Sequence, residues 1–287
     1  MKYLIVSADD FGLLKSINEG IVKAYRDGIV TYLNLIPAGE AFANALEFVK
    51  DARLEEMGAH LSLTQVRPLT DPARIPTLIA KDKTFHRSYV QFLLNFFSGR
   101  IDTAHIYIEL KNQLEALKQA GIPITNLSSH EHIHMVPAIL DIFIQLAKEY
   151  NIPSIRYLGS ERIIPPVTSK KIYKKFVLQV FAGKMAGDLK RAGILFADNF
   201  LGFLDSGALQ EALLINMLGS LKSGTTELVC HPGFISPEVL DRCIFHANCE
   251  TELHALTSRN VKDFVKEEGI CPIKYGELAR RKGEGKA

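Results

Sequence analysis

Tyr3-Leu4-Ile5-Val6-Ser7-Ala8-Asp9-Asp10-Phe11-Gly12 opens the chain with an apolar run that ends in two adjacent carboxylates. A short continuous apolar run bounded by charge suits a strand buried on both faces, as in parallel sheets. At the exit of such a strand Asp9 and Asp10 repel one another unless a cation or a proton lies between them, and Gly12 supplies the turn that lets both point inward. The rival reading makes one of them the cap of the helical segment that begins near Ser16.

Outward from that strand the pattern repeats. Residues 16–27 place Ile17, Ile21, Ala24 and Tyr25 at helical spacing and Gly28 stops them, residues 29–36 predict a second strand, 40–52 a helix, and 57–63 a third strand that carries His60. A helix over 102–120 ends at Gly121 and Pro123 and feeds a fourth strand; helices over 137–150, 165–192 and 209–221 then alternate with strands over 152–157, 194–203 and 226–230. Two more helical stretches and a last strand over 270–273 bring the count to about eight strands joined by right-handed parallel crossovers. The predicted class is α/β: one domain over 1–287, a (β/α) barrel distorted or incomplete relative to a TIM barrel. Residues 65–100 read as an insertion, broken early by Pro68, Pro72 and Pro76, whose Phe85, Tyr89, Phe92, Phe96 and Phe97 suit a lid, a groove wall or a homodimer contact.

Composition narrows the partners. With 47% hydrophobic and 23% charged residues and a net charge of +2, the 287-residue chain reads as an ordinary globular protein without a polyanionic partner, which argues against nucleic-acid binding. Lys170-Lys171 and Lys174-Lys175 read as a solvated helix face, and Arg280-Arg281-Lys282 as a frayed terminus. Cys230, Cys243, Cys249 and Cys271 form no C-x-x-C pair, so neither a zinc knuckle nor a redox dithiol is expected; reduced thiols suit a cytoplasmic setting. The N-terminal apolar run is too short for a signal peptide, and no stretch approaches the ~20 apolar residues of a membrane span.

Chemistry concentrates at predicted strand ends. Ser128-Ser129-His130-Glu131-His132-Ile133-His134 sets three imidazoles at alternating positions where the fourth strand gives way to a loop; in an extended segment alternate side chains share a face, and neutral imidazole binds borderline metals. Asp9, Asp10, His60, this cluster, Arg156 and His231 all fall at the C-terminal rim where parallel folds build their sites. Asp10, His60 and one histidine of the cluster make a three-ligand site with open positions, the pattern of a catalytic metal, and spacing does not choose among His130, His132 and His134. Asp9 is then free to act as base, His231 as general acid, and Arg156 to fix Asp9 and depress its pKa or to hold an oxyanion. One divalent ion is expected, and the ligand chemistry suits Zn²⁺, Mn²⁺ or Co²⁺.

SADDFG, NEGIVKAYRDGIVT, GAHLSLT, SSHEHIHMVP and ELVCHPGF, in this order, resemble the successive motifs of the YdjC-like carbohydrate deacetylase family, which includes chito-oligosaccharide deacetylases and hopanoid-associated members. The resemblance runs from residue 3 to about 257. It implies a barrel-like fold, a divalent metal described as Mg²⁺, and removal of acetyl groups from N-acetylated sugars, free or carried on a glycolipid. Motif by motif it places metal ligands at Asp10, His60 and His130 and the base at Asp9. His132, His134 and Phe11 are expected at the substrate. Glu131 departs from the chito-oligosaccharide pattern, which has histidine there, and so leaves the sugar open. Two rivals stand beside this reading: a phosphoesterase, which uses two metals, and a sugar-binding protein that keeps the scaffold without catalysis.

Overall fold

In the computed structural model, which describes residues 1–159 and 161–284, strand β1 (Lys2–Phe11) is an inner strand of the sheet with three partners. It pairs over Lys2–Ala8 with β7 (Gly224–Cys230) and from Ser7 onward with β2 (Tyr32–Leu35). Two residues, β8 (Cys271–Pro272), pair with its lower edge at Tyr3 and Leu4. With β3 (Met57–Leu61), β4 (Ile124–Ser129), β5 (Ser154–Ile155) and β6 (Asn199–Leu201), the order is β5-β4-β3-β2-β1-β7-β6, and every pair is parallel. β1 therefore lies directly against β7, where a complete eight-stranded barrel seats its last strand between them. Among the described residues, the backbones of the two edges meet where Leu195 bridges to Ser154 before the chain continues into β6. This is the curled, incomplete TIM-like barrel that the strand–helix alternation predicts.

β5 and β6 are much shorter than the predicted runs over 152–157 and 194–203. Pro153 has no N–H to give a ladder, and Gly202, at a φ of 103°, turns the chain out of β6. The predicted helices appear within a few residues of their expected limits, among them Lys15–Asp27, Phe42–Asp51, Thr103–Gln119 and Pro137–Glu149. The basic terminus is not frayed: a helix covers Tyr275–Glu284, and the Arg281 guanidinium lies 4.0 Å over the Tyr3 ring. Residues 65–100 form two short 3₁₀ turns and the helix Tyr89–Phe97; Phe85 and Phe92 enter the core, while Leu94 and Phe97 stay exposed. No described helix is long and apolar enough to cross a membrane.

Strand alternation divides the side chains. On β1, Leu4, Val6 and Ala8 join the main apolar core, whereas Ile5 packs with Tyr32, Ile273, Tyr275 and Leu278 in a small second cluster. Residues level with one another in a parallel sheet share a face, so the pairs Ile5–Glu227, Ser7–Tyr32, Asn34–Gly58 and His60–Ser128 line up one polar side of the sheet. Outside it, the helix Lys15–Asp27 comes so close to the loop after β7 that a Cβ on Gly20 would sit 2.3 Å from the Gly233 Cα. Gly20→Ala should therefore cost about 1–3 kcal/mol of stability through overpacking, read as a lowered urea midpoint. Gly183→Ala, which meets nothing within 4 Å, should be neutral or stabilise by up to about 1 kcal/mol.

Candidate metal and catalytic site

By alternation alone Asp9 shares the inner face of β1 with Ile5 and Ser7, and Asp10 should point the other way. A bulge changes this. Between the pairs Ala8–Leu33 and Phe11–Leu35, β1 spends one residue more than β2, and Asp10 adopts a left-handed φ of 67°. Both carboxylates consequently lie buried at the same rim, and both take up partners there.

Asp9 belongs to a clamp. Arg156, fully buried just past β5, donates from Nη1 to Asp9 Oδ2 at 2.6 Å and from Nη2 to Asp9 Oδ1 at 2.8 Å, while its Nε and Nη2 reach Glu227 Oε1 at 2.9 and 2.8 Å. Asn34 Nδ2 donates to Asp9 Oδ1 at 2.7 Å, and the Tyr275 hydroxyl donates to Glu227. Burial opposes ionisation of Asp9, but the Arg156 guanidinium, helped by His60, outweighs it and holds the carboxyl well below the usual range.

Asp10 gathers imidazoles. His130 Nδ1 lies 2.8 Å from its Oδ1, His246 Nε2 2.9 Å from its Oδ2, and His60 Nε2 3.4 Å from Oδ1. Ser128 Oγ holds His60 Nδ1 at 2.7 Å, so that ring aims Nε2 at the two carboxylates. One ligand atom each from Asp10, His60 and His130 lie within 4.8 Å of one another. His130 Nε2 is buried without a hydrogen-bond partner among the described residues. One carboxylate and two imidazoles with an unpaired ring nitrogen fit a divalent cation. Burial works against charge on His130, but Asp10 beside it raises its pKa to about 9; conversely, His130 overcomes burial and keeps Asp10 ionised. A cation bound here would take the place of that proton.

The other expected residues separate. Residues 130–135 are a 3₁₀ segment with Glu131 and His132 both at a φ of 54°, so the cluster is not extended and its imidazoles do not share a face. His134 is buried, with Nδ1 2.6 Å from Ser129 Oγ and Nε2 3.2 Å from the Arg156 carbonyl oxygen. Burial and the Arg156 charge lower its pKa to about 3, so the ring is neutral: Nε2 donates to that carbonyl and Nδ1 accepts from Ser129. Phe11 is equally buried, edge-on to Phe48 in the core. Neither side chain presents surface to a substrate, which differs from the expectation for both: His134 ties the loop to β5, and Phe11 packs on the helix Phe42–Asp51. His132 is partly open, its ring 5.3 Å from that of Phe203.

His231 follows β7, the neighbour of β1, its ring edge-on to Phe245 at 4.8 Å and 6.0 Å from His246. Its backbone N–H donates to Glu252 Oε2 at 2.7 Å. Burial lowers the His231 pKa to about 4 against the pull of Asp10 and Asp9, and burial raises that of Glu252 to about 7. Glu131, at the loop edge, accepts from Thr64 Oγ1 at 2.7 Å and Gln65 Nε2 at 2.8 Å.

Four participants escape sequence reasoning: His246, Asn34, Glu227 and Tyr275. Asn34 shows as a polar break in an apolar strand and Glu227 as a charge inside another, signals that period-two alternation converts into inward positions. His246 lies in a short 3₁₀ turn beyond β7, and nothing local in the sequence marks it.

Arg156→Ala leaves Asp9 and Glu227 buried without their shared cation. It should destabilise the fold by about 3–5 kcal/mol in urea denaturation.

The family model of YdjC-like proteins matches residues 3–267. A carbohydrate deacetylase of Thermoanaerobacter pseudethanolicus is 32% identical over 97% of this chain and all of its own length. A carbohydrate deacetylase of Brevibacillus brevis is 30% identical over 96% of this chain and 99% of its own. The crystal structure of a candidate cellobiose-phosphate cleavage protein from Enterococcus faecalis V583 superposes with a TM-score of 0.79 at 24% identity, over 96% of this chain and 98% of that one, and shows the shared fold. With a family match over residues 3–267, which takes in Asp9, Asp10, His60, His130, Arg156, His231 and His246, the chain belongs to the YdjC-like family.

Proposed function

We propose that the protein is a metal-dependent carbohydrate deacetylase that hydrolyses the acetamide of an N-acetylamino sugar. The observation that carries this reading is the convergence of Asp10, His60 and His130 beside a separate, clamped carboxylate, Asp9. The names of the carbohydrate deacetylases it resembles support the substrate class. When bound, the cation would lower the pKa of water and stabilise negative charge on the carbonyl oxygen.

The side chains have distinct parts in this proposal. Asp10, His60 and His130 hold the ion, and His246 orients Asp10 through its second oxygen. Asp9 accepts a proton from the attacking water; because Arg156 keeps it strongly acidic, it holds that proton only briefly. Arg156, with both carboxylates engaged, positions Asp9 and has no donor pair to spare for an oxyanion. His231 protonates the departing nitrogen. Burial keeps this imidazole neutral at rest, so its proton arrives during turnover, from the water that Asp9 deprotonates. Phe245, 43% exposed and edge-on to His231, offers an apolar face to a sugar ring, as does Phe203 beside His132.

The two imidazoles favour Zn²⁺, Mn²⁺ or Co²⁺ on ligand chemistry, while the resemblance points to Mg²⁺. Substrates in scope are chito-oligosaccharides and the sugar of a glycolipid. A phosphoesterase of the two-metal kind needs a second ligand group, and among the described residues one group of three stands out.

Acetate release from N-acetylglucosamine oligomers and acetylated glycolipids, with metal content measured in the same samples, tests the proposal. The wild type should hold one ion per chain and release acetate, and His60→Ala should lose the ion. His231→Ala should keep it and slow by about 10²–10⁴-fold. No acetate from any acetylated sugar, with the ion confirmed bound, sinks the reading; two ions per chain favour the phosphoesterase.

A further inference from the structure

We propose that the outer face of the helix Ser169–Ala192 docks on an anionic membrane surface, with its axis in the plane of the lipid headgroups. The helix is apolar on two sides. Leu178, Ala182, Met185 and Leu189 face the core, each no more than 2% exposed, while Ile172, Tyr173, Phe176 and Val180 are 55–68% exposed on the other side. Positions i, i+1, i+4 and i+8 lie on one face of a helix, and Val167, 61% exposed, extends the row beyond its N-terminus. A second apolar stripe of this length calls for a second apolar partner.

Charge decides which partner. Of the lysines on this helix, Lys171 turns inward to Asp205 at 2.6 Å and Lys174 donates to the Phe203 carbonyl oxygen at 3.0 Å. Lys170, Lys175 and Lys184 make no ion pair among the described residues, and the helix's one acid, Asp188, pairs with Arg191. An exposed apolar row bordered by unpaired lysines has the composition of a helix that lies in an anionic lipid interface. A second copy fits less well, because a two-fold interface sets the same patch against itself and brings lysines toward lysines without an acid between them. The inner side of the same helix adjoins the site: Lys174 Nζ lies 5.2 Å over the Phe203 ring, which packs against His132. Docking of this kind is peripheral, since the helix is too polar to span.

Flotation of the full chain with vesicles of phosphatidylcholine alone, or with phosphatidylglycerol added, tests the proposal. Binding should be confined largely to the anionic vesicles and should weaken at high salt. Ile172→Ser combined with Phe176→Ser should reduce partitioning by at least about tenfold, the loss expected for two large apolar side chains. Both residues are exposed, so thermal unfolding by circular dichroism should match the wild type. The proposal is overturned if the wild type floats with neither vesicle, or if the double variant floats as well as the wild type. It is equally overturned if light scattering shows a dimer that the double variant dissolves, because the covering partner is then a second copy.

Discussion

A guanidinium with no exposure to water, held between two carboxylates, is the constraint from which the architecture of the site follows. Arg156 projects from the end of β5, Asp9 from β1 and Glu227 from β7, so one side chain ties β5 to two strands with which it shares no ladder. A buried charge of this kind persists only with its hydrogen bonds complete, and here Asn34 and Tyr275 supply those that Arg156 does not. Among the described residues the sheet is open between β5 and β6 apart from one backbone bridge, and the clamp fastens β5 to β1 and β7 across the interior.

The same clamp separates two carboxylates that are neighbours in sequence. Asp9 faces a permanent cation and one further hydrogen-bond donor, the Asn34 amide; the Asp10 carboxylate faces, among the described residues, histidines whose protons a metal can displace. Adjacent residues thus acquire different chemistry from a single bulge. Without the left-handed turn at Asp10, strand alternation would send that side chain toward the helices and away from His60 and His130.

What was legible in the sequence follows from this. The strand–helix alternation announced the parallel sheet, and placing residues at strand ends brought Asp9, Asp10, His60, His130, Arg156 and His231 to one rim, because a parallel sheet aligns all its C-terminal ends. Residues inside strands, Asn34 and Glu227, were readable only in part: alternation gives their face but not their partners. The histidine run misled in its spacing. Two consecutive left-handed residues, Glu131 and His132, turn the segment, so His130 goes to Asp10, His132 to Phe203 and His134 back to the Arg156 carbonyl. Such φ values at non-glycine residues are set by tertiary contacts, in this case the bonds from Thr64 and Gln65 to Glu131, and local sequence does not encode them. His246, on a turn beyond β7, is placed by the packing of the segment from 237 to 257 and leaves no local trace.

Anomalous diffraction from crystals grown with Mn²⁺ or Zn²⁺ tests this arrangement most directly. A single peak within bonding distance of Asp10, His60 and His130, with Asp9 still paired to Arg156, is the predicted result. A peak held by Asp9 in place of Asp10, or no ion among these three side chains at saturating metal, would contradict the account.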